Sequence, residues 1–202
     1  MYDIHVLVDK GFKEKDEGQY DDPVDIFWSS GACMVVKKEL WDKCGGLDNE
    51  FFAHMEEIDL CWRFHSAGYR IMYVPESVVF HAGGGALPYE SEFKTYLNFR
   101  NNLFLLYKNL PVDKLEKTIL IRKVFDGIAG FRFILTGHIR NVKAILKAHS
   151  DFRKEKANRK IIRGETRELP AVNYVLPFLN KSVVFEFFLK GRKTYNKLFL
   201  QH

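Results

Sequence analysis

The densest concentration of reactive side chains is Phe51-Phe52-Ala53-His54-Met55-Glu56-Glu57-Ile58-Asp59, three carboxylates and an imidazole in an otherwise apolar stretch. A carboxylate held against a reacting hydroxyl can take its proton, so general-base chemistry is the first expectation here. Ile58, Cys61 and Trp62, and likewise Leu60, Phe64 and Ala67, recur at spacings of three and four. That pattern predicts a helix over 56–67, ended by Gly68. At about 100° per residue, Glu56 and Asp59 share a face and Glu57 points to the side, so only some of the acids can enter one cleft. A purely structural account also exists: carboxylates favour a helix N-terminus through the macrodipole, and Asp59 is spaced to pair with Arg63 one turn on. Phe51, Phe52, Met55, Trp62 and Phe64 bury the turn, however, and a buried carboxylate requires a partner or a job.

Other candidates are less dense. Ser29-Ser30-Gly31 interrupts two apolar runs, either as a strand bend or as backbone that holds a ligand. His81 follows Val78-Val79-Phe80 at a strand end, and Gly83-Gly84-Gly85 reads as a loop hinge, since no P-loop lysine follows it. Gly45-Gly46 fits a helix C-cap and turn. His54 is expected to pack rather than react.

The elements that must position these groups follow from the patterning. Residues 9–25 are a polar loop. Residues 25–28 and 32–36 are one bent strand or two short ones, 37–44 a short helix, and 69–74 and 77–81 two more strands. From residue 91 the pattern is helical and basic: 91–109, a break at Pro111, then 113–137, 138–163 and, after Pro170 and Pro177, 182–200. With 47% hydrophobic and 15% aromatic residues in 202, the chain has ample material for a core, which excludes a disordered protein and a tandem multidomain one. Its charge is divided: residues 1–100 carry 10 basic and 18 acidic side chains, net −8, and residues 101–202 carry 21 and 8, net +13. Cys33, Cys44 and Cys61, without C-x-x-C spacing, fit a reducing compartment. No apolar run reaches membrane-spanning length, so the location expected is cytoplasmic, with attachment to the inner face of a membrane as an option.

Five blocks in order carry a resemblance: Trp28-Ser29-Ser30-Gly31-Ala32-Cys33-Met34-Val35, Gly45-Gly46-Leu47-Asp48-Asn49-Glu50-Phe51-Phe52, Glu56-Glu57-Ile58-Asp59-Leu60-Cys61-Trp62-Arg63, Gly68-Tyr69-Arg70-Ile71, and Val74-Pro75-Glu76 with His81. They resemble the acceptor-side half of a family 2 glycosyltransferase of the GT-A fold, of the bacterial rhamnosyltransferase-like kind. The stretch Asn98-Phe99-Arg100-Asn101-Asn102 resembles the tails of such enzymes more weakly.

The resemblance implies an α/β fold: the C-terminal half of a Rossmann-like nucleotide-sugar transferase sheet over residues 1–90, followed by a basic amphipathic helical extension over 91–202. It implies inverting transfer of a sugar from a nucleotide-diphosphate donor to an acceptor hydroxyl, in synthesis of cell-surface polysaccharide or glycolipid. Glu57 stands at the position of the family's catalytic base, the second acid of a Glu-Asp pair that is Glu-Glu here. Glu56 shares the role or, with Asp59, orients the turn. Ser30, Gly31 and Ala32 would contact the acceptor, and His81 would complete the coordination of a divalent metal, Mg²⁺ or Mn²⁺, on the donor diphosphate. The Asp-x-Asp half that carries the nucleotide pocket in such enzymes does not precede these blocks, so a fragment of a longer enzyme is expected. The alternative is a non-catalytic transferase remnant that serves as a membrane- or protein-interaction module. Nucleic-acid binding is not expected, since no zinc or RRM signature is present. For the tail, the 113–137 helix with Gly127, Gly130 and Gly137 is expected to pack on its neighbours. The later basic stretch is expected to lie on an anionic membrane surface.

Overall fold

The computed structural model describes residues 18, 20–80, 91–166 and 190–191. His81, the glycine run 83–85 and the expected helix 182–200, except for 190–191, lie outside the described residues; those two are not helical, with Gly191 at φ +65°. Two short strands, β1 (Val24–Asp25) and β2 (Met72–Tyr73), bracket the first part, with α1 (Lys38–Lys43), a 3-10 turn at Asn49–Phe51 and α2 (Glu56–Ser66) between them. Three long helices follow: α3 (Glu92–Asn109), α4 (Val112–Leu135) and α5 (Ile139–Thr166).

The helices form where periodicity and caps agree. The Ser91 hydroxyl accepts from the Lys94 amide at 3.1 Å and starts α3. Pro111 separates α3 from α4, since its ring cannot continue a helix. Gly46, at φ +60°, closes α1 against Trp41 so tightly that a Cβ would lie 2.7 Å from the indole nitrogen, and Gly68, at φ +83°, ends α2.

The strands are fewer and shorter than the pattern predicts. Among the described residues the sheet is a single antiparallel pair, with Val24 opposite Tyr73 and Asp25 opposite Met72. Residues 32–36 and 77–80 are not strands. A strand forms only where a ladder partner satisfies its backbone, and no described segment runs beside either one, which leaves Val35 and Phe80 almost fully exposed.

The core is therefore helical. Phe51 and Trp62 pack with Leu103, Phe104 and Tyr107 of α3 and Phe152 of α5. A smaller cluster of Cys44, Leu60 and Phe64 joins α1 to the other flank of α2. Ala144, Ile145, Ala148 and Phe152 of α5 are buried, so the basic stretch expected to face a membrane spends its apolar side on protein. The expectation that α4 packs on its neighbours holds for Leu115 and Ile119, which lie against the core, and fails along its other side. Leu120, Val124, Ile128, Phe131 and Leu135 are exposed; of its three glycines, only Gly130 approaches a neighbour, with Ile145 Cδ1 4.0 Å from where a Cβ would sit.

Asp59 ties the parts together. It is fully buried, and its Oδ2 accepts from Arg63 Nε at 2.9 Å and Lys108 Nζ at 2.8 Å while Oδ1 accepts from Asn109 Nδ2 at 2.8 Å. Arg63 also donates to the carbonyls of Cys44 and Gly46, and Lys108 reaches Asp48 at 2.9 Å. One carboxylate thus joins α2, α3 and the turn after α1. Asp59→Ala should cost about 3–5 kcal/mol, because it strands two buried cations. Asp25→Ala, which breaks an exposed pair with Arg70, should cost under about 1 kcal/mol. Chemical denaturation of the two variants checks the contrast.

Candidate active site

The acidic turn sits on strained backbone. Phe52, His54 and Met55 have φ of 62°, 70° and 78°, a left-handed region that side chains other than glycine rarely adopt; such clusters occur where surrounding contacts over-determine the backbone. Met55 is the N-terminal cap of α2 in this conformation. The contacts that hold it come from α3. Asn101, fully buried, places its Nδ2 2.8 Å from each of the carbonyls of Phe51, Ala53 and His54. Its two amide hydrogens are shared among three acceptors. Arg100 adds a donor to the Glu50 carbonyl at 2.7 Å.

Out of this turn project Glu56 and Glu57, both partly buried, each with one buried carboxylate oxygen that has no hydrogen-bond partner among the described residues. Burial pushes the Glu57 carboxyl up to about 7, and the adjacent Glu56 charge adds to the effect. Backbone amides of Glu57 and Met55 oppose it and are outweighed. A carboxyl with this pKa is half ionised at neutral pH, the condition in which it can both hold and release a proton.

The three acids of the turn therefore separate. Asp59 is committed to Arg63, Lys108 and Asn109, whereas Glu56 and Glu57 interact with each other at the edge of the core. The i,i+4 spacing made the Asp59–Arg63 pair legible in the sequence; nothing local pointed to Lys108 or Asn109.

Ser30, Gly31 and Ala32 form a tight turn, not a strand bend. The Ala32 amide donates to the Ser30 hydroxyl at 3.3 Å, the Cys33 amide to the Ser30 carbonyl at 3.2 Å, and Ser29 Oγ to the Cys33 carbonyl at 3.2 Å. The Cys61 thiol lies one helical turn after Glu57; burial pushes its pKa up, the nearby Ser29 backbone opposes this, and the Glu57 charge adds to it. The turn and Glu57 thus share a flank of α2. Phe27 anchors this approach: it stacks on His65 with ring centroids 5.3 Å apart, and its carbonyl lies 2.9 Å from His65 Nε2.

His54 was expected only to pack. Its Nε2 is buried without a hydrogen-bond partner among the described residues, and burial, with Lys94 nearby, lowers its pKa against the opposing pull of Glu56. It is a neutral imidazole beside the acidic pair. Asn101 and His54 are the two residues of the site that local patterning undervalued, Asn101 because its partners lie 47 to 50 positions away.

No group of three His, Cys, Asp or Glu side chains among the described residues converges to hold a metal ion, and His81 is outside them. The described residues do not build a metal site, and no step below is routed through one.

Residues 17–102 match the family described as "Glycosyltransferase like family 2". An N-acetylglucosaminyl-diphospho-decaprenol L-rhamnosyltransferase of Mycobacterium tuberculosis is 39% identical over 56 residues, 28% of this chain and 18% of that protein. The rhamnosyltransferase WbbL of Escherichia coli is 39% identical over 66 residues, 33% of this chain and 24% of that protein. A low-salt glycan biosynthesis hexosyltransferase of Haloferax volcanii is 28% identical over 102 residues, 48% and 32%. The matches thus span less than a third of the length of these relatives. No solved structure matches. Over residues 17–102 the chain is thus similar to the family 2 glycosyltransferases.

Glu57 should be titratable near pH 7 by carboxyl-resolved NMR. Its folded pKa is raised above the unfolded value of 4.5, so the protonated form favours folding and stability falls as pH rises from about 4.5 to about 7. Glu57→Gln should accordingly be more stable than the natural chain at pH 8, by on the order of 1–3 kcal/mol, and no more stable at pH 4. Denaturant unfolding at the two pH values checks this.

Proposed function

We propose that this chain, as part of a family 2 glycosyltransferase, forms the acceptor-side portion of a GT-A catalytic domain, with Glu57 as the general base of an inverting sugar transfer. The donor is a nucleotide-diphosphate sugar and the acceptor a hydroxyl on a glycan or lipid-linked glycan, used in cell-surface polysaccharide or glycolipid synthesis at the cytoplasmic side of a membrane. The observation that carries the reading is the Glu57 carboxyl, held near pKa 7 by burial and by Glu56 on a turn whose left-handed backbone is clamped by Asn101.

In this reaction the acceptor oxygen attacks the anomeric carbon from the face opposite the leaving nucleotide diphosphate. The C–O bond to the diphosphate breaks as the new glycosidic bond forms, and the anomeric configuration inverts. The acceptor proton passes to the Glu57 carboxylate. Raising the basicity of this carboxylate strengthens its pull on the proton, at the expense of the ionised fraction at low pH. Glu56 sustains that pKa through its charge. Asp59 is a positioning residue: neutralised by Arg63, Lys108 and Asn109, it fixes the start of α2 and has no oxygen to spare for substrate.

The turn at Ser30, Gly31 and Ala32 lies on the Glu57 flank of α2, and exposed backbone there suits contact with a polyhydroxylated acceptor. The remainder of the sheet, the nucleotide pocket and the place of His81 on the donor side belong to the rest of the GT-A fold. In such a domain residues 32–36 and 77–80 would find the strand neighbours that the described residues do not provide.

In the full-length enzyme Glu57→Gln should reduce transfer by about 10²–10⁴ with donor affinity nearly unchanged, since the amide fills the same volume but takes no proton. In the natural enzyme kcat/KM should rise with pH through about 7, and Glu56→Gln should move that limb to lower pH. Initial-rate assays across pH give both. Full activity of Glu57→Gln would assign the base to Glu56, and absence of any transfer by the natural full-length protein would favour a non-catalytic interaction module.

A further inference from the structure

Helix α4 is mixed on its inside, where Leu115 and Ile119 pack on the main core near its start, and apolar on its outside. Its protein-facing side carries Asp126, buried and paired with Arg122 at 2.7 Å and His149 at 3.0 Å, together with buried Gly130. Arg122 in turn lies over the Phe99 ring of α3 at 5.3 Å. The docking of α4 thus combines the links of Asp126 to His149 and of Arg122 to Phe99 with the apolar contacts of Leu115 and Ile119 near its start. Its opposite side holds Leu120, Ile121, Val124, Ile128, Phe131 and Leu135, exposed by 46% at Ile121 to 71% at Leu135. At 100° per residue these six fall within an arc of about 100°, and with a rise of 1.5 Å per residue the stripe is about 22 Å long. A contiguous apolar surface of that kind marks an interaction site.

Charge selects the occupant. Lys114, Lys117, Lys123 and Arg132 flank the stripe; exposed Asp113 and Glu116 lie only at its N-terminal end, and from there to Leu135 the one acidic residue is Asp126, which is buried. Over residues 112–156 the helical pair α4 and α5 carries 11 basic and 5 acidic side chains, net +6. The stripe also borders a groove of about 640 Å³ whose lining includes Leu120 and Leu146 with Lys123, Arg153 and Lys156 against one acid, Glu116, so cations prevail beside its apolar floor. A second copy of the same stripe would set these cations against one another. Residues 167–202, with six basic and two acidic side chains, offer no complementary charge either. No helix among the described residues is long and apolar enough to cross a membrane, so contact is along the surface. An apolar stripe lying parallel to the surface, with cations at its margins, is the arrangement by which a helix enters the interface of an anionic bilayer.

We infer that the outer face of α4, centred on Val124, Ile128 and Phe131, docks the protein on an anionic lipid bilayer. The aliphatic and aromatic side chains enter the headgroup–acyl boundary, and Lys114, Lys117, Lys123 and Arg132 meet lipid phosphates. The acidic turn takes no part in the contact, and of α5, whose Ala144, Ile145, Ala148 and Phe152 are buried in the core, only the exposed Leu146 adjoins it.

The test uses the whole chain and phosphatidylcholine vesicles with or without phosphatidylglycerol, and neither readout involves sugar transfer, so it stands apart from the catalytic proposal. The natural chain should cosediment with the anionic vesicles, bind neutral ones more weakly, and be partly released by salt. Ile128→Glu/Phe131→Glu, at exposed positions, should keep its circular dichroism and lose binding by at least about tenfold. Binding unchanged in this variant, or absent in the natural chain, would overturn the inference. So would a natural dimer that the variant converts to monomer while vesicle binding persists, which would give the stripe to a second copy. If the double variant fails to fold, Ile128→Trp with bromine-labelled lipid replaces it. Quenching of the added fluorescence supports the inference; its absence in the vesicle-bound protein, or an emission already buried without vesicles, overturns it.

Discussion

A carboxylate with no access to water holds this structure together. Removing an ionised Asp59 from solvent is costly, and the cost is offset only because two cations and an amide surround it with good geometry. Each donor comes with an obligation. Arg63 lies on the same helix but extends to the carbonyls of Cys44 and Gly46, which fixes the turn after α1. Lys108 bridges to Asp48, whose other oxygen caps the 3-10 turn by accepting from the Glu50 amide. The start of α2, the loop before it and the end of α3 are thereby bound to one point.

The reactive turn depends on that point. Three non-glycine residues in left-handed backbone within four positions are unfavourable by themselves, and Asn101 offsets them by taking up three carbonyls at once. Its register along α3 is set by the same helix that supplies Lys108, two turns further on. The strain gives Glu56 and Glu57 their positions: one polar edge of a buried helix start, close enough for mutual repulsion, with few donors to quench it. A raised Glu57 pKa is the electrostatic expression of that geometry.

The long helices distribute their surfaces unequally. α5 packs its small and aromatic residues on α3, whereas α4 is fastened by the Asp126 cluster with Leu115 and Ile119 and leaves an aliphatic stripe outward. Such a helix gains nothing in water from its outer face, so the stripe has a physical rationale only against an apolar medium or partner.

Local periodicity was enough to determine the helices. The starts and stops of α1 through α5 lie within a few residues of where glycines, Pro111, Ser91 and the 3.6-residue repeats put them, because those signals act between neighbours in the chain. The Asp59–Arg63 pair and the clustering of acids at the head of α2 were legible for the same reason. Strands were not, since a strand exists only with a partner; Ala32 to Val36 has the composition of one and no ladder. Which acid would be buried and which left to react was also beyond the sequence: Asp59 and Glu57 differ in fate because Lys108, Asn109 and Asn101 arrive from about 50 residues away. The outward face of α4 was decided in the same manner. Its apolar positions fit either packing or exposure, and only the tertiary contacts of Asp126 with His149 and of Leu115 and Ile119 with the core turned that side in and left the aliphatic stripe out.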